Sequence, residues 1–311
     1  MLALDSFLAH DARFEDVLGE APRLVKVAET DAHEGPVYVE EEDALYFTTL
    51  PSGRDTGYPE VDIKRLALDG IRFPLEPERI SVVRASANAA NGMTMDREGR
   101  LVVCEQGTLT ERARISRVDR ATGEAETVVD AFAGLPLNSP NDVVVTRDGA
   151  VWFTDPSYGH VQGFKPEPQL QDRVYRYDPV VDRITAVAHA FDKPNGLAFA
   201  PDESVLYVGD NGAPHHLLAF DLGATGAFRV SSRVLAIGAP EHPDGLKVDA
   251  EGRIYASAST GIQVIDTDGA LLGEIGLPGA VNFCFGGPDR NVLFITADTA
   301  VFAAVLNAKG A

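Results

Sequence analysis

Short apolar stretches alternating with polar positions run the length of the chain, each too short for an ordinary helix and each bounded by acids, glycine or asparagine. Six segments repeat one order: an oxygen-bearing residue, an alternating strand, an acid/glycine turn and a second apolar strand. They start at Glu34 (EGPVYVEEEDALYFTT), Asn91 (NGMTMDREGRLVVCE), Asn141 (NDVVVTRDGAVWFTD), Asn195 (NGLAFAPDESVLYVGD), Asp244 (DGLKVDAEGRIYASA) and Asn282 (NFCFGGPDRNVLFIT). Period-two alternation around a tight polar turn predicts a hairpin in each. The starts lie 57, 50, 54, 49 and 38 residues apart, bracketing the roughly 40 to 50 residues of a four-stranded propeller blade.

Between most hairpins lies a further strand pair, such as RISRVDRATGEAETVV from Arg114 and RVYRYDPVVDRITAVA from Arg173. The last unit keeps only AVFAAVL from Ala300, one strand short, whereas RLVKVAE from Arg23 precedes the first hairpin without a partner. Pairing the two closes the ring and protects its edges. The expected fold is therefore all-β, a six-bladed β-propeller over residues 21–311 with an N-terminal strand completing the last blade. An extension over residues 1–20 precedes it, where SFLAHDARFEDVL predicts a short helix. A two-domain β protein is the structural alternative.

The charge narrows the choice of partners. Forty-seven acidic against 27 basic residues give −20, which repels a phosphate backbone and an anionic membrane alike. Neither nucleic acid nor membrane is expected as a partner, and the acidity otherwise serves solubility. Cys104 and Cys284 sit in apolar runs, where a reduced buried thiol is the ordinary role. The N-terminus lacks the basic and apolar regions of a signal peptide, and no run approaches a membrane span. Cytoplasm is the expected compartment, and no oligomeric interface is legible.

A propeller brings equivalent positions of successive blades round one axis, so the first residue of each repeat falls at the channel mouth. Those positions are Glu34, Asn91, Asn141, Asn195, Asp244 and Asn282: two carboxylates and four amides, with no cysteine or histidine. Each dipeptide such as Asn-Gly or Asp-Gly, taken alone, is a turn former. Six oxygen-bearing residues at one phase of six repeats point instead to a hard divalent cation. The second strands run back toward the same face and bring Glu105, Gln106, Asp155 and Ser257 to the rim, with Tyr158 and His160 following Asp155. These are candidate substrate contacts; for Asp155 the alternative is that it ties down its own loop. His33, His160, His215, His216 and His242 show no paired metal spacing, and there is no Gly-x-Ser-x-Gly run.

HEGPVY around Glu34, LNSPNDVVV around Asn141, KPNGLAF around Asn195, HPDGLKVD around Asp244 and the late FCFGGPDRNVLFIT resemble the senescence-marker-protein/gluconolactonase family, which includes regucalcin-like proteins. The resemblance runs from about Arg13 to Val305. It implies a six-bladed propeller with one catalytic divalent ion held by Glu34, Asn141, Asn195 and Asp244, and hydrolysis of a sugar lactone. Calcium is the first expectation for the ion, with magnesium, manganese and zinc as alternatives. Asp244 is the expected catalytic residue, as ligand and as base toward water; in the competing version it only shapes the ion. Asn91, Glu105, Gln106, Asp155 and Tyr158 are expected to meet the substrate. Ser139 and Gln106 stand where some family members carry arginine and histidine, which leaves the particular sugar open. Two other readings remain: a phosphotriesterase at the same centre, and a non-enzymatic calcium-binding or scaffold propeller.

Overall fold

Each repeat segment forms the two inner strands of a four-stranded antiparallel sheet in the computed structural model, which describes residues 6–53, 58–70, 72–187, 190–213, 215–223, 228–237 and 243–311. Met1–Asp5 of the expected extension and His242 lie outside the described residues. Blade 1 is Ala32–Val39, Ala44–Thr49, Ile63–Ala67 and Ile80–Arg84; blade 2 is Ala90–Met95, Leu101–Glu105, Arg114–Val118 and Ala125–Val129. Blade 3 is Val143–Val145, Val151–Asp155, Arg173–Asp178 and Arg183–Ala186; blade 4 is Pro194–Phe199, Val205–Asp210, His216–Leu222 and Phe228–Ile237. Blade 5 is Leu246–Val248, Ile254–Ala258, Gly261–Ile265 and Leu271–Gly276. Blade 6 takes Asn282–Gly286, Val292–Thr296 and Ala300–Val305 from the end of the chain and Arg23–Glu29 from its beginning. Arg23 pairs with Val305 and Glu29 with Ala300, so the ring is closed as the unpaired strands required.

The hairpin turns follow from their acids. In blade 2, Asp96 Oδ1 accepts the backbone N–H groups of Glu98 (3.0 Å) and Arg100 (2.9 Å); in blade 5, Asp249 Oδ1 does the same for Glu251 (3.0 Å) and Arg253 (2.9 Å). A short side-chain acceptor that mimics a backbone turn is what favours aspartate here. Apolar wedges fill the gaps between neighbouring sheets. Trp152 and Val174 of blade 3, for example, pack with Leu197, Leu206, Leu218 and Phe220 of blade 4. Cys104 and Cys284 are buried and unpaired.

The helix expected before the first blade is confined to Phe14–Leu18. Ahead of it, Phe7–Ala9 adds a fifth strand to the outer edge of blade 5, Phe7 opposite Ile275. Only Phe14 and Val17 are buried on the helix, in the wedge with Tyr255, Leu272 and Phe283, and one turn suffices for two anchors at that spacing. Two insertions depart from the repeat: a small hairpin, Ala131–Phe132 with Leu135–Pro136, and a four-residue helix, Tyr158–Val161, between the second and third strands of blade 3. Among the described residues no helix is long and apolar enough to cross a membrane.

Candidate active site at the channel mouth

The inner strands approach one another closely around the axis. Gly92 N donates to Asn141 O (2.8 Å), and a Cβ at Gly92 would lie 2.5 Å from that oxygen. At Gly196 a Cβ would collide with Asp244 O in the same way. Asn91-Gly92 and Asn195-Gly196 are thus parts of inner strands, not turns: glycine is needed because the next blade's backbone leaves no room for a side chain.

This packing gathers Glu34, Asn141, Asn195 and Asp244 round one cavity of about 370 Å³. Glu34 is 3% exposed; its Oε2 accepts from Asn282 Nδ2 (2.7 Å) and from Gly35 N (3.1 Å). Asp244 is set by its backbone N–H, which donates to Ser257 Oγ (3.0 Å). Burial, the neighbouring Glu34 charge and a hydrogen bond shared with Glu34 push the Asp244 carboxyl well above the usual carboxylate range, with the Asn195 side chain pulling the other way. Two carboxylates held together against their mutual repulsion, beside two amide oxygens, form a donor set that fits a hard divalent cation. Among the described residues no group of three or more His, Cys, Asp and Glu has metal-holding geometry, so an ion here depends on the amides as well.

Asn91, Gln106 and Tyr158 line the same cavity. Tyr158 Oη accepts from Asn211 Nδ2 (2.9 Å) and Asn195 Nδ2 (3.4 Å), which ties the short helix of blade 3 to blade 4. Glu105 and Asp155 are corrections to the expected substrate contacts. Both are fully buried, and their oxygens are taken. Glu105 accepts from Arg84 Nη1 (2.6 Å), Asn88 Nδ2 (3.0 Å), Arg114 Nε (2.7 Å) and Ser116 Oγ (2.6 Å). Asp155 accepts the backbone N–H groups of Asn138 (2.9 Å) and Ser139 (2.8 Å) and so fixes the loop that delivers Asn141. Asp210, at the same phase of blade 4, accepts Asp192 N (3.0 and 3.1 Å). In blades 2, 3 and 4 the last residue of the second strand is taken up behind the cavity, and in blades 2 and 4 the next one, Gln106 or Asn211, reaches it.

Asn211 therefore carried a legible signal that was missed, since it occupies in blade 4 the place of Gln106 in blade 2. Lys193, Gln162 and His33 also line the cavity without a repeat-phase signal. Lys193 Nζ is engaged by Asp172 (2.7 Å) and Asp192 (3.4 Å), and His33 Nδ1 lies 2.7 Å from Asp298 Oδ1. His215 Nδ1 meets the carbonyl of Asn211 (2.8 Å), a loop contact outside the ring.

Residues 32–299 match the family model described as SMP-30/Gluconolactonase/LRE-like region. The chain belongs to this family. A gluconolactonase of Zymomonas mobilis is 33% identical to this chain over 283 residues, 85% of this chain and 75% of that one. A pentonolactonase of Haloferax volcanii is 29% identical over 284 residues, covering 88% and 84% of the two chains. The solved structure of a gluconolactonase from Xanthomonas campestris superposes with a TM-score of 0.81 at 33% identity over 96% of this chain and 94% of that one. The calcium-binding regucalcin of Agrobacterium tumefaciens, at 18% identity and a TM-score of 0.70 over 92% and 95% of the chains, shares the fold.

Proposed function

We propose that this propeller is a divalent-metal-dependent lactonase that opens a sugar lactone by hydrolysis. The observation that carries the reading is the contact of the Glu34 and Asp244 carboxylates, from blades 1 and 5, in a cavity also lined by Asn141 and Asn195. These four residues would hold the ion, with calcium the first candidate. Gluconolactonase and pentonolactonase relatives with coverage of this extent support the substrate class. When bound, a divalent ion supplies a Lewis acid for the lactone carbonyl and lowers the pKa of water.

The chain's own residues do the rest. Asp244 faces the reacting water and receives its proton, while Asn195 hydrogen-bonds that carboxylate and fixes its orientation. Asn282 holds Glu34 in place. The amides of Asn91 and Gln106 and the Tyr158 hydroxyl orient the hydroxyl groups of the ring. Water oxygen adds to the carbonyl carbon, the ring C–O bond breaks, and the ring oxygen leaves as a protonated hydroxyl, giving a hydroxy acid.

Proton release from a panel of aldonolactones tests this, measured before and after chelation and with calcium, magnesium, manganese or zinc restored. Turnover that chelation abolishes and one of these ions recovers is the expected result. Turnover unaffected by chelation overturns the metal, and no turnover of any lactone with an ion bound overturns the activity.

A further inference from the structure

The cavity at the channel mouth does not end at the carboxylates. A second cavity of about 400 Å³ adjoins it, and the two share five lining residues: His33, Pro51, Asn91, Gln106 and Gln162. Beyond this shared wall the chemistry changes. The carboxylates and amides of the ring give way to Tyr58, Pro59, Val61, Ala89 and Phe164. Val61 is 2% and Phe164 7% exposed, so this wall is backed by the packed body of blades 1 and 2 and by the insertion within blade 3.

A sugar lactone alone is poorly matched to the pair of cavities. Its hydroxyl groups find partners on the ring side and along the shared wall, but each one carried to the far wall of the second cavity gives up water for carbon. An apolar substituent gains there, by about fourfold in binding for every methylene removed from water. At the junction, Asn91 Oδ1 is buried and has no hydrogen-bond partner among the described residues. An acceptor left in that state calls for a donor on the ligand, such as a hydroxyl next to the point of substitution.

We infer that the preferred substrate is bipartite: a hydroxylated lactone ring at the carboxylate pair, with an alkyl or aryl substituent lodged against the apolar far wall of the adjoining cavity. This rests on the lactonase reading and adds to it the class of substituent. The five lining residues the cavities share favour one ligand spanning both over two separate ligands.

The test is kcat/KM of the calcium-loaded protein on δ-valerolactone and its δ-alkyl derivatives with one to five added carbons, next to glucono-δ-lactone. The expected result is a rise of about threefold to fourfold per carbon until the cavity is filled. Tyr58→Asp, at a residue 39% exposed, should flatten that rise and leave the unsubstituted ring within twofold of wild type. Phe164→Ala should flatten it as well. Turnover of unsubstituted lactones with a flat or falling alkyl series overturns the inference and leaves the activity standing. If no lactone is opened, the activity falls, and calorimetric binding of 6-alkyl-2-piperidones, lactams that resist opening, decides the cavity. Affinity rising with chain length then sustains the apolar subsite, and affinity independent of length overturns it.

Discussion

Asn282 of blade 6 donates its side-chain amide to Glu34 Oε2 of blade 1 at 2.7 Å, across the boundary where the end of the chain meets its beginning. The other end of the same amide is also engaged: Asn282 Oδ1 accepts Phe283 N at 2.8 Å and lies 3.4 Å from Lys247 Nζ. A residue of the oxygen ring thus serves as the brace of another.

Asn282→Ala should therefore weaken the ion rather than the chemistry. Removing a hydrogen bond to a metal-binding carboxylate commonly lowers affinity by about 10- to 100-fold. Calcium titration by calorimetry is expected to show that loss, with kcat at saturating calcium within a few-fold of wild type. A kcat collapse at full occupancy would place Asn282 among the groups that meet the substrate.

Asp244→Asn should separate stability from activity. The variant keeps the shape of the side chain but ends the repulsion with Glu34 in a buried place. In the presence of chelator, unfolding should be about 0.5–2 kcal/mol more difficult than for wild type. Turnover should fall by about 100- to 10,000-fold, the range for loss of a general base. Near-normal turnover with the ion bound would exclude proton transfer to Asp244.

Glu105→Ala addresses the buried carboxylate that the cavity does not use. Its loss strands Arg84 and Arg114, which reach it at 2.6 and 2.7 Å. Breaking a buried pair of this kind costs about 3–5 kcal/mol, to be read from urea unfolding. KM for the preferred lactone should stay unchanged in the folded fraction; a raised KM would return Glu105 to the substrate contacts.

Asp155 carries a pH signature. Burial pushes its carboxyl from 3.8 up to about 7, against the lowering effect of the Asn138 and Ser139 backbone N–H groups. The folded state therefore holds a proton that the unfolded state has released between these two values. Stability from this group is complete below about pH 4, declines as pH rises toward 7, and is flat above. The decline amounts to at most about 4 kcal/mol. Urea unfolding of Asp155→Asn between pH 4 and 8 should lack this component, although the amide loses one acceptor and lowers stability at acid pH. Equal slopes in the two proteins would mean that Asp155 is ionised throughout.

The architecture was legible because a propeller repeats its grammar. Six alternating hairpins at blade-like intervals give the ring, and the missing strand after Ala300 together with the spare one at Arg23 gives its closure. The same phase found the six oxygen-bearing residues. It brought Glu105 and Asp155 to the rim, whereas strand alternation sends these final residues of their second strands behind the cavity and, in blades 2 and 4, the next one, Gln106 or Asn211, to it. Alternation was visible, but the end of pairing that sets its phase was not. Lys193, Gln162 and the apolar wall around Phe164 lie in connections that do not repeat, where no period assigns a direction. The strand at Phe7–Ala9 went unseen because only the free edge of blade 5, over 260 residues away, makes it a strand.

Closure by Arg23–Glu29 has a consequence for the order of events during synthesis. Arg23–Glu29 waits for Ala300–Val305, made roughly 270 residues later, which at ordinary rates of about 5–20 residues per second is about 14 to 54 s. Through that interval the nascent chain carries an open sheet edge, Glu34 lacks its brace from Asn282, and its partner carboxylate, Asp244, arrives only with blade 5. The brace on Glu34 therefore comes last, in the same step that removes the exposed edge, and a chain released short of blade 6 has neither a closed ring nor that brace.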